Sequence, residues 1–147
     1  MSQQRQDEIT LQQGSWHELR DIASEIRRLV FIEEQAVPQH EEWDGRDADC
    51  LHFLAWRGTA ALGTARLLPD GHVGRVAVLA EARGLGIGVA LMQATVEAAR
   101  SHGHAHVELA AQTHALPFYE RLGFVAFGDE FLDAGIPHRN MRLTLGD

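Results

Sequence analysis

The sequence predicts an α/β domain, a mixed sheet with helices on both faces. One long helical pattern precedes a series of short strand patterns, and a strand–helix–strand unit then occupies residues 74–110. No linker or internal repeat divides the 147 residues, a length that suits one domain with a sizeable core.

The elements follow in order. Ile9-Thr10-Leu11 is a weak first strand. Ser15, with Glu18 three residues later, forms a capping box that opens a helix. Its apolar positions Ile22, Ile26, Leu29, Val30 and Ile32 recur at helical spacing, and it ends before Pro38. Residues 39–49 are acidic and turn-rich around Trp43, which reads as a surface loop with a short helical turn. Residues 51–56 and 61–67 make a strand pair around Arg57-Gly58-Thr59, and Pro69-Asp70-Gly71 is a turn. Residues 74–79 form a central strand. The helix beyond them carries an apolar stripe of Leu85, Val89, Met92, Val96 and Ala99, and Gly103 ends it. A strand over 105–110, a short helix over 115–122 closed by Gly123, and strands over 124–127 and 139–145 complete the series.

Composition excludes several classes of function. No apolar stretch is long enough to span a membrane, and the polar start, Met1 to Thr10, lacks the apolar region of a signal peptide. A cytoplasmic protein with no membrane partner is expected. The single cysteine, Cys50, excludes an internal disulfide framework and reads as a packing or a reactive thiol. The formal charge is -8, with 21 acids against 13 bases, which argues against a nucleic-acid surface. Every one of the 13 basic residues is arginine. Without lysine there is no P-loop, no Schiff-base or pyridoxal chemistry, and no kinase of the common type.

Arg83-Gly84-Leu85-Gly86-Ile87-Gly88 lies between the apolar run Val76-Ala77-Val78-Leu79 and the following helix. Three glycines where a helix starts cost backbone entropy, and close approach of a phosphate to exposed N–H groups is one reason to accept it. A dinucleotide fold needs Gly-x-Gly-x-x-Gly after the first strand, whereas this loop has Gly-x-Gly-x-Gly in mid-chain. A turn that only packs the helix on the sheet is the other reading.

Arg83-x-x-Gly86-x-Gly88, followed after one helix and one strand by Leu116-Pro117-Phe118-Tyr119-Glu120-Arg121-Leu122-Gly123-Phe124, resembles the GNAT family of N-acetyltransferases. The stretches Val30-Phe31-Ile32-Glu33-Glu34-Gln35-Ala36-Val37-Pro38, Glu42-Trp43-Asp44-Gly45, His52-Phe53-Leu54-Ala55, Gly63-Thr64-Ala65-Arg66-Leu67, Gly74-Arg75-Val76-Ala77-Val78, Ala111-Gln112-x-His114-Ala115 and Gly135-Ile136-Pro137-His138 narrow the likeness to its ElaA-like or YjcF-like branch. The resemblance implies a mostly antiparallel central sheet with a splayed central strand pair, forming a single GNAT domain over residues 1–147. It implies acetyl-CoA as cosubstrate and a small-molecule amine as acceptor, and it admits a homodimer. Cofactor contacts would come from Val76, Ala77, Val78, Arg83, Gly84, Leu85, Gly86, Ile87, Gly88, Val89, Phe118, Tyr119 and Arg121. The backbone of Val78 would sit near the thioester carbonyl and Tyr119 near the sulfur. Many relatives have asparagine where this chain has His114.

Transfer of an acyl group from a thioester to an amine needs proximity, an unprotonated amine, an oxyanion donor and management of the thiolate. Val78 N–H is the candidate oxyanion donor. Tyr119, the chain's single tyrosine, is the candidate general acid, since a free phenol near pKa 10 would roughly balance a thiol. His114 and His138 are the candidate bases, with Glu33, Glu34 and Glu130 behind them. Arg66 and Arg75 lie on neighbouring strands in apolar surroundings; they either hold a carboxylate such as Glu34 or reach water. Trp43 and the Phe131 region read as part of a lid or partner contact. Two other functions compete: a non-catalytic CoA-binding regulatory module, and a metal-dependent enzyme using His104, His106 and Glu108 from one strand face.

Overall fold

The computed structural model describes residues 8–146. Two antiparallel sheets lie side by side. The first holds β1 (Ile9–Gly14), β2 (Leu51–Arg57), β3 (Ala60–Leu67) and β4 (Val73–Val78) in that order. The second has β7 (Ile136–Thr144) between β5 (His106–Gln112) and β6 (Val125–Asp133). At the junction, a parallel bridge pairs His72 with Glu108, and Glu108 N–H donates to Gly71 O at 3.3 Å. Among the described residues no further strand pairing joins β4 to β5. The two strands therefore diverge into a seam that opens toward Val78 and Gln112.

Helices cover both faces. α1 (Trp16–Arg27) starts at the expected capping box: Glu18 N–H donates to Ser15 Oγ at 3.2 Å, and Ser15 N–H donates to Glu18 Oε1 at 2.9 Å. It continues into a π-helical segment, Arg28–Glu34. Leu19, Ala23, Ile26 and Val30 pack on Leu54 and Ala77. Ile22 faces outward, 37% exposed, because the buried stripe runs through Ala23 instead. After the four-residue α2 (Gln39–Glu42), α3 (Ile87–Ser101) covers the opposite face. Its buried stripe is Ile87, Leu91, Met92, Thr95, Ala98 and Ala99. Leu85, by contrast, is 46% exposed in the loop. The expected stripe shares Met92 and Ala99 with the buried one, while Val89 and Val96 are half-buried at its edge. α4 (Leu116–Arg121) then leads into β6. β6 is longer than the expected 124–127, since exposed Gly128, Asp129 and Glu130 give its second half no apolar alternation.

Gly63 lets α3 sit close to the sheet. A Cβ there would meet Leu91 Cδ1 at 2.9 Å, Ile87 Cγ2 at 3.0 Å and the Ala77 carbonyl at 3.1 Å. The backbone oxygen cannot yield as a side chain can. Gly63→Ala is expected to destabilise the fold by about 1–3 kcal/mol through overpacking, measurable by urea denaturation.

β4 departs from regular geometry at one point. Thr64 pairs with Ala77 and Arg66 with Gly74, so Arg75 and Val76 together oppose Ala65. This is a β-bulge, and Arg75 adopts φ 52°, the left-handed region. Gly74 stands beside it, but the left-handed position itself is held by a non-glycine residue.

Candidate active site

A cleft of about 930 Å³ follows the seam. Val76, Ala77 and Val78 of β4 form one wall, Ala111 and Gln112 of β5 the other. Phe31 and Glu34 from the end of α1, Tyr119 of α4 and His138 of β7 close around it. Leu79 N–H donates to Leu62 O at 2.9 Å, toward β3. Alternation along the strand therefore turns the Val78 N–H the other way, into the seam. Arg83 Nε donates to the Val78 carbonyl at 3.1 Å.

The three loop glycines do two jobs. Gly84 and Gly86 have φ of +84° and +82°, with no heavy atom within 4 Å of a would-be Cβ. They supply left-handed turns and leave open space before the first turn of α3, whose leading N–H groups lack intrahelical acceptors. Gly88 is a packing glycine, since a Cβ there would lie 3.2 Å from Phe118 Cζ. The Ile87 side chain is buried in the core, so only its backbone faces the loop. Arg83, Tyr119, His114, His138 and residues 76–78 all line the cleft. Gly84, Leu85, Gly86, Ile87, Gly88, Val89, Phe118 and the exposed Arg121 do not.

Tyr119 is buried, with its ring edge-on to Phe118 at 4.9 Å and to Phe124 at 5.9 Å. Burial pushes its pKa up to about 12. That removes the balanced proton exchange expected from a free phenol: the hydroxyl keeps its proton and serves as a donor.

The two histidines differ. His138 is buried, stacks on Phe131 at 5.8 Å, and donates Nδ1–H to Ile136 O at 2.7 Å. This fixes the tautomer and leaves the Nε2 lone pair available as an acceptor. His114 is exposed, and its Nε2–H donates to Gln112 Oε1 at 2.6 Å. Gln112 Nε2 in turn donates to Gln35 Oε1 at 2.8 Å. Gln112 and Gln35 thus tie β5 to the end of α1, a link that nothing in their spacing announced.

The acidic segment 39–49 is the expected surface segment with a helical turn, but not all of its acids are solvated. Glu42 and Asp47 turn inward and are buried together with Arg27 and Arg66. Arg27 donates Nε–H to Glu42 Oε2 and Nη1–H to Asp47 Oδ1, both at 2.7 Å. Its guanidinium lies 5.4 Å from the Trp16 ring centroid and 5.0 Å from that of Trp43. Arg66 donates to Asp44 Oδ2 at 2.6 Å and to Asp47 Oδ1 at 2.9 Å. Arg75 donates to the carbonyls of Glu41 at 3.2 Å and Glu42 at 3.0 Å. Buried His52, its pKa lowered by burial, donates Nε2–H to the Asp47 carbonyl at 2.9 Å. The partners of Arg66 and Arg75 are therefore Asp44, Asp47 and Glu42. Glu34 instead pairs bidentately with Arg83, at 2.6 and 2.7 Å. Hydrogen bonding from Arg83 holds the Glu34 carboxyl below its ordinary range. Glu33 pairs with Arg28 on the outer surface, and Glu130 is exposed on β6.

Electrostatics within the cluster diverge. Burial pushes the Glu42 carboxyl up. Hydrogen bonds from Arg66 hold Asp44 far down. Burial raises Asp47, but Arg27 and Arg66 outweigh it and leave it lowered.

His104 precedes β5 and shares no strand face with His106 and Glu108. Glu108 accepts from Arg142 Nε at 2.8 Å, and among the described residues no group of three or more His, Cys, Asp or Glu is placed to hold a metal ion. Cys50 is buried, with its Sγ donating to Arg46 O at 3.3 Å; burial raises its pKa, as suits a packing thiol. Trp43 packs on Arg27 and Phe131 on His138.

A splayed strand pair beside a glycine loop at a helix N-terminus defines a class of acyl-CoA-dependent transferases. The sequence model of the Acetyltransferase (GNAT) domain matches residues 20–145, and the chain belongs to that family. It is closely related to the ElaA/YjcF-like branch. It is 38% identical to the N-acetyltransferase YjcF of Bacillus subtilis over 120 residues, covering 79% of this chain and 86% of that one. The crystal structure of Escherichia coli ElaA superposes with a TM-score of 0.83 at 30% identity, covering 92% of this chain and 99% of that one. An acyl-CoA N-acyltransferase from Pseudomonas aeruginosa gives a TM-score of 0.84 at 33% identity, covering 93% and 100%. No helix among the described residues is long and apolar enough to cross a membrane.

Proposed function

We propose that the protein is an acetyl-CoA-dependent N-acetyltransferase that acetylates a primary amine of a small molecule by direct attack in a ternary complex. One observation carries this reading: the Val78 N–H faces an unpaired seam that Tyr119 and His138 also line. The pantetheine arm pairs with the free edge of β4, and the pyrophosphate sits over Gly84 and Gly86 at the start of α3. Arg83 would leave Glu34 to meet the phosphates or stay as the clasp beneath them. The amine nitrogen attacks the thioester carbon, and the Val78 N–H stabilises the oxyanion. His138 Nε2 takes the amine proton, directly or through a water. The C–S bond then breaks, and the Tyr119 hydroxyl donates a hydrogen bond to the departing thiolate. Because Tyr119 holds its proton so strongly, the thiolate takes its final proton from solvent.

Calorimetry with acetyl-CoA, followed by thiol release over a panel of amines, tests the reading. Saturable binding with amine-dependent thiol release is expected. Binding without thiol release for any amine would favour a non-catalytic CoA-binding module. His138→Asn is expected to lower kcat about tenfold, because water at the cleft mouth can partly replace the base, with acetyl-CoA affinity unchanged.

A further inference from the structure

Glu34 and Gln35 are neighbours in sequence, yet they bond to opposite walls of the cleft. Glu34 pairs with Arg83, in the loop after β4. Gln35 Oε1 accepts from Gln112 Nε2 at 2.8 Å, at the end of β5. The first is an ion pair whose side chains are 43% and 41% exposed, and such pairs contribute little. The second is a half-buried bond between neutral groups, which salt does not screen. It is also oriented, because Gln112 Oε1 accepts from His114 and the amide N–H groups are left for Gln35. The segment held in this way is not relaxed. Residues 28–34 form a π-helix, a rare winding, although residues 28–37 hold no glycine or proline. Gln35 N–H donates to Val30 O at 3.1 Å and Val37 N–H to Phe31 O at 2.8 Å, and Ala36 between them has φ 59°. In this winding Phe31, Glu34 and Gln35 all line the cleft. Wound as an ordinary α-helix, whose bonds close one residue earlier, the same residues would point elsewhere. Local propensity does not select the π form, so a contact from another element must, and Gln112 is placed to supply it.

We propose that Gln112 is a positioning residue. Through Gln35 it holds the π-helical end of α1 in the winding that turns Phe31 and Glu34 to the cleft, and so it shapes the wall that the amine acceptor meets. This rests on the reading that the cleft joins acetyl-CoA to an amine. In that reading the donor takes the β4 edge and the glycine loop, which leaves the end of α1 to the acceptor. Gln112 also stands opposite His138 in register, so the bridge starts beside the proposed base.

The test combines amide exchange in the ligand-free protein with steady-state kinetics of Gln112→Ala, Gln35→Ala and Gln35→Glu. A thermal melt checks that each variant folds. Gln112→Ala should speed exchange of the Gln35 and Val37 amides about tenfold and leave those of Ala23 and Ile26, earlier in α1, unchanged. It should raise the KM for the amine about tenfold, the scale of one net hydrogen bond, with kcat little changed and acetyl-CoA affinity unaffected. Gln35→Ala should match it. Gln35→Glu, whose carboxylate still accepts from Gln112, should recover most of the loss in both readouts. Unchanged exchange in Gln112→Ala, faster exchange with no change in the amine KM, or no recovery in Gln35→Glu would each overturn the proposal. If the wild-type chain releases thiol with no amine, the acetyltransferase reading fails alone, and the exchange contrast, read without substrate, still decides whether the bridge holds the segment.

Discussion

Tyr119→Phe is expected to lower kcat about a hundredfold, the scale for losing one hydrogen-bond donor aimed at charge that develops in the transition state, while the fold and acetyl-CoA affinity stay as they are. The phenyl ring would keep its edge contacts with Phe118 and Phe124, so packing is preserved. What disappears is the hydroxyl facing the cleft. Single-turnover measurement of thiol release checks this, because it separates chemistry from product release. Unchanged single-turnover rates would remove Tyr119 from the mechanism. The pH dependence follows from the same burial. With its pKa raised to about 12 in the folded state and near 10 unfolded, Tyr119 contributes stability that is complete below pH 10 and lost as pH rises toward 12. No alkaline limb of the rate near pH 9 should trace to this residue.

Arg27→Ala is expected to destabilise the protein by about 3–5 kcal/mol, since it strands buried carboxylates. Glu42 and Asp47 would each lose a 2.7 Å bond, and Trp16 and Trp43 would lose the cation between them. For a chain of this size that is a fall in Tm of roughly 6–20 °C. Arg27→Lys should recover little, because a point charge cannot serve both acids and two aromatic faces. Breaking the exposed Arg28–Glu25 pair should leave Tm in place. The network also sets the acid limit. Asp44 and Asp47 have depressed folded-state values, so their stabilisation is present above about pH 4 and is lost as pH falls below it. Glu42 is shifted upward and opposes them, its share being lost as pH rises. With two against one, the melting temperature should fall on acidification below pH 4. Asp44→Asn should flatten that slope.

The readable parts of the chain were those set by local chemistry. Ser15 and Glu18 announce a helix start, Arg57-Gly58-Thr59 a hairpin, and Gly84 and Gly86 a turn before a helix. The GNAT likeness was legible because the glycine loop and Phe118-Tyr119 stand one helix and one strand apart. Hidden features depend on contacts distant in sequence. The acids of residues 39–49 look solvated until Arg27 and Arg66 arrive from other elements, and Trp43 was their one apolar hint. The bulge at Arg75 puts a non-glycine residue in left-handed conformation, which no local pattern favours. Gly63 reads as an ordinary strand glycine, although it admits a helix close to the sheet.

The seam between the sheets has a consequence for amide exchange with deuterated water. Past the bridge at His72 and Glu108, the β4 amides that face β5 have no strand to protect them. Val78 N–H should exchange orders of magnitude faster than Ala77 N–H, its neighbour turned toward β3. An extended ligand docking along that edge should slow Val78 and leave Ala77 unaffected. A contrast between adjacent residues would then report occupancy of the seam in the absence of any reaction.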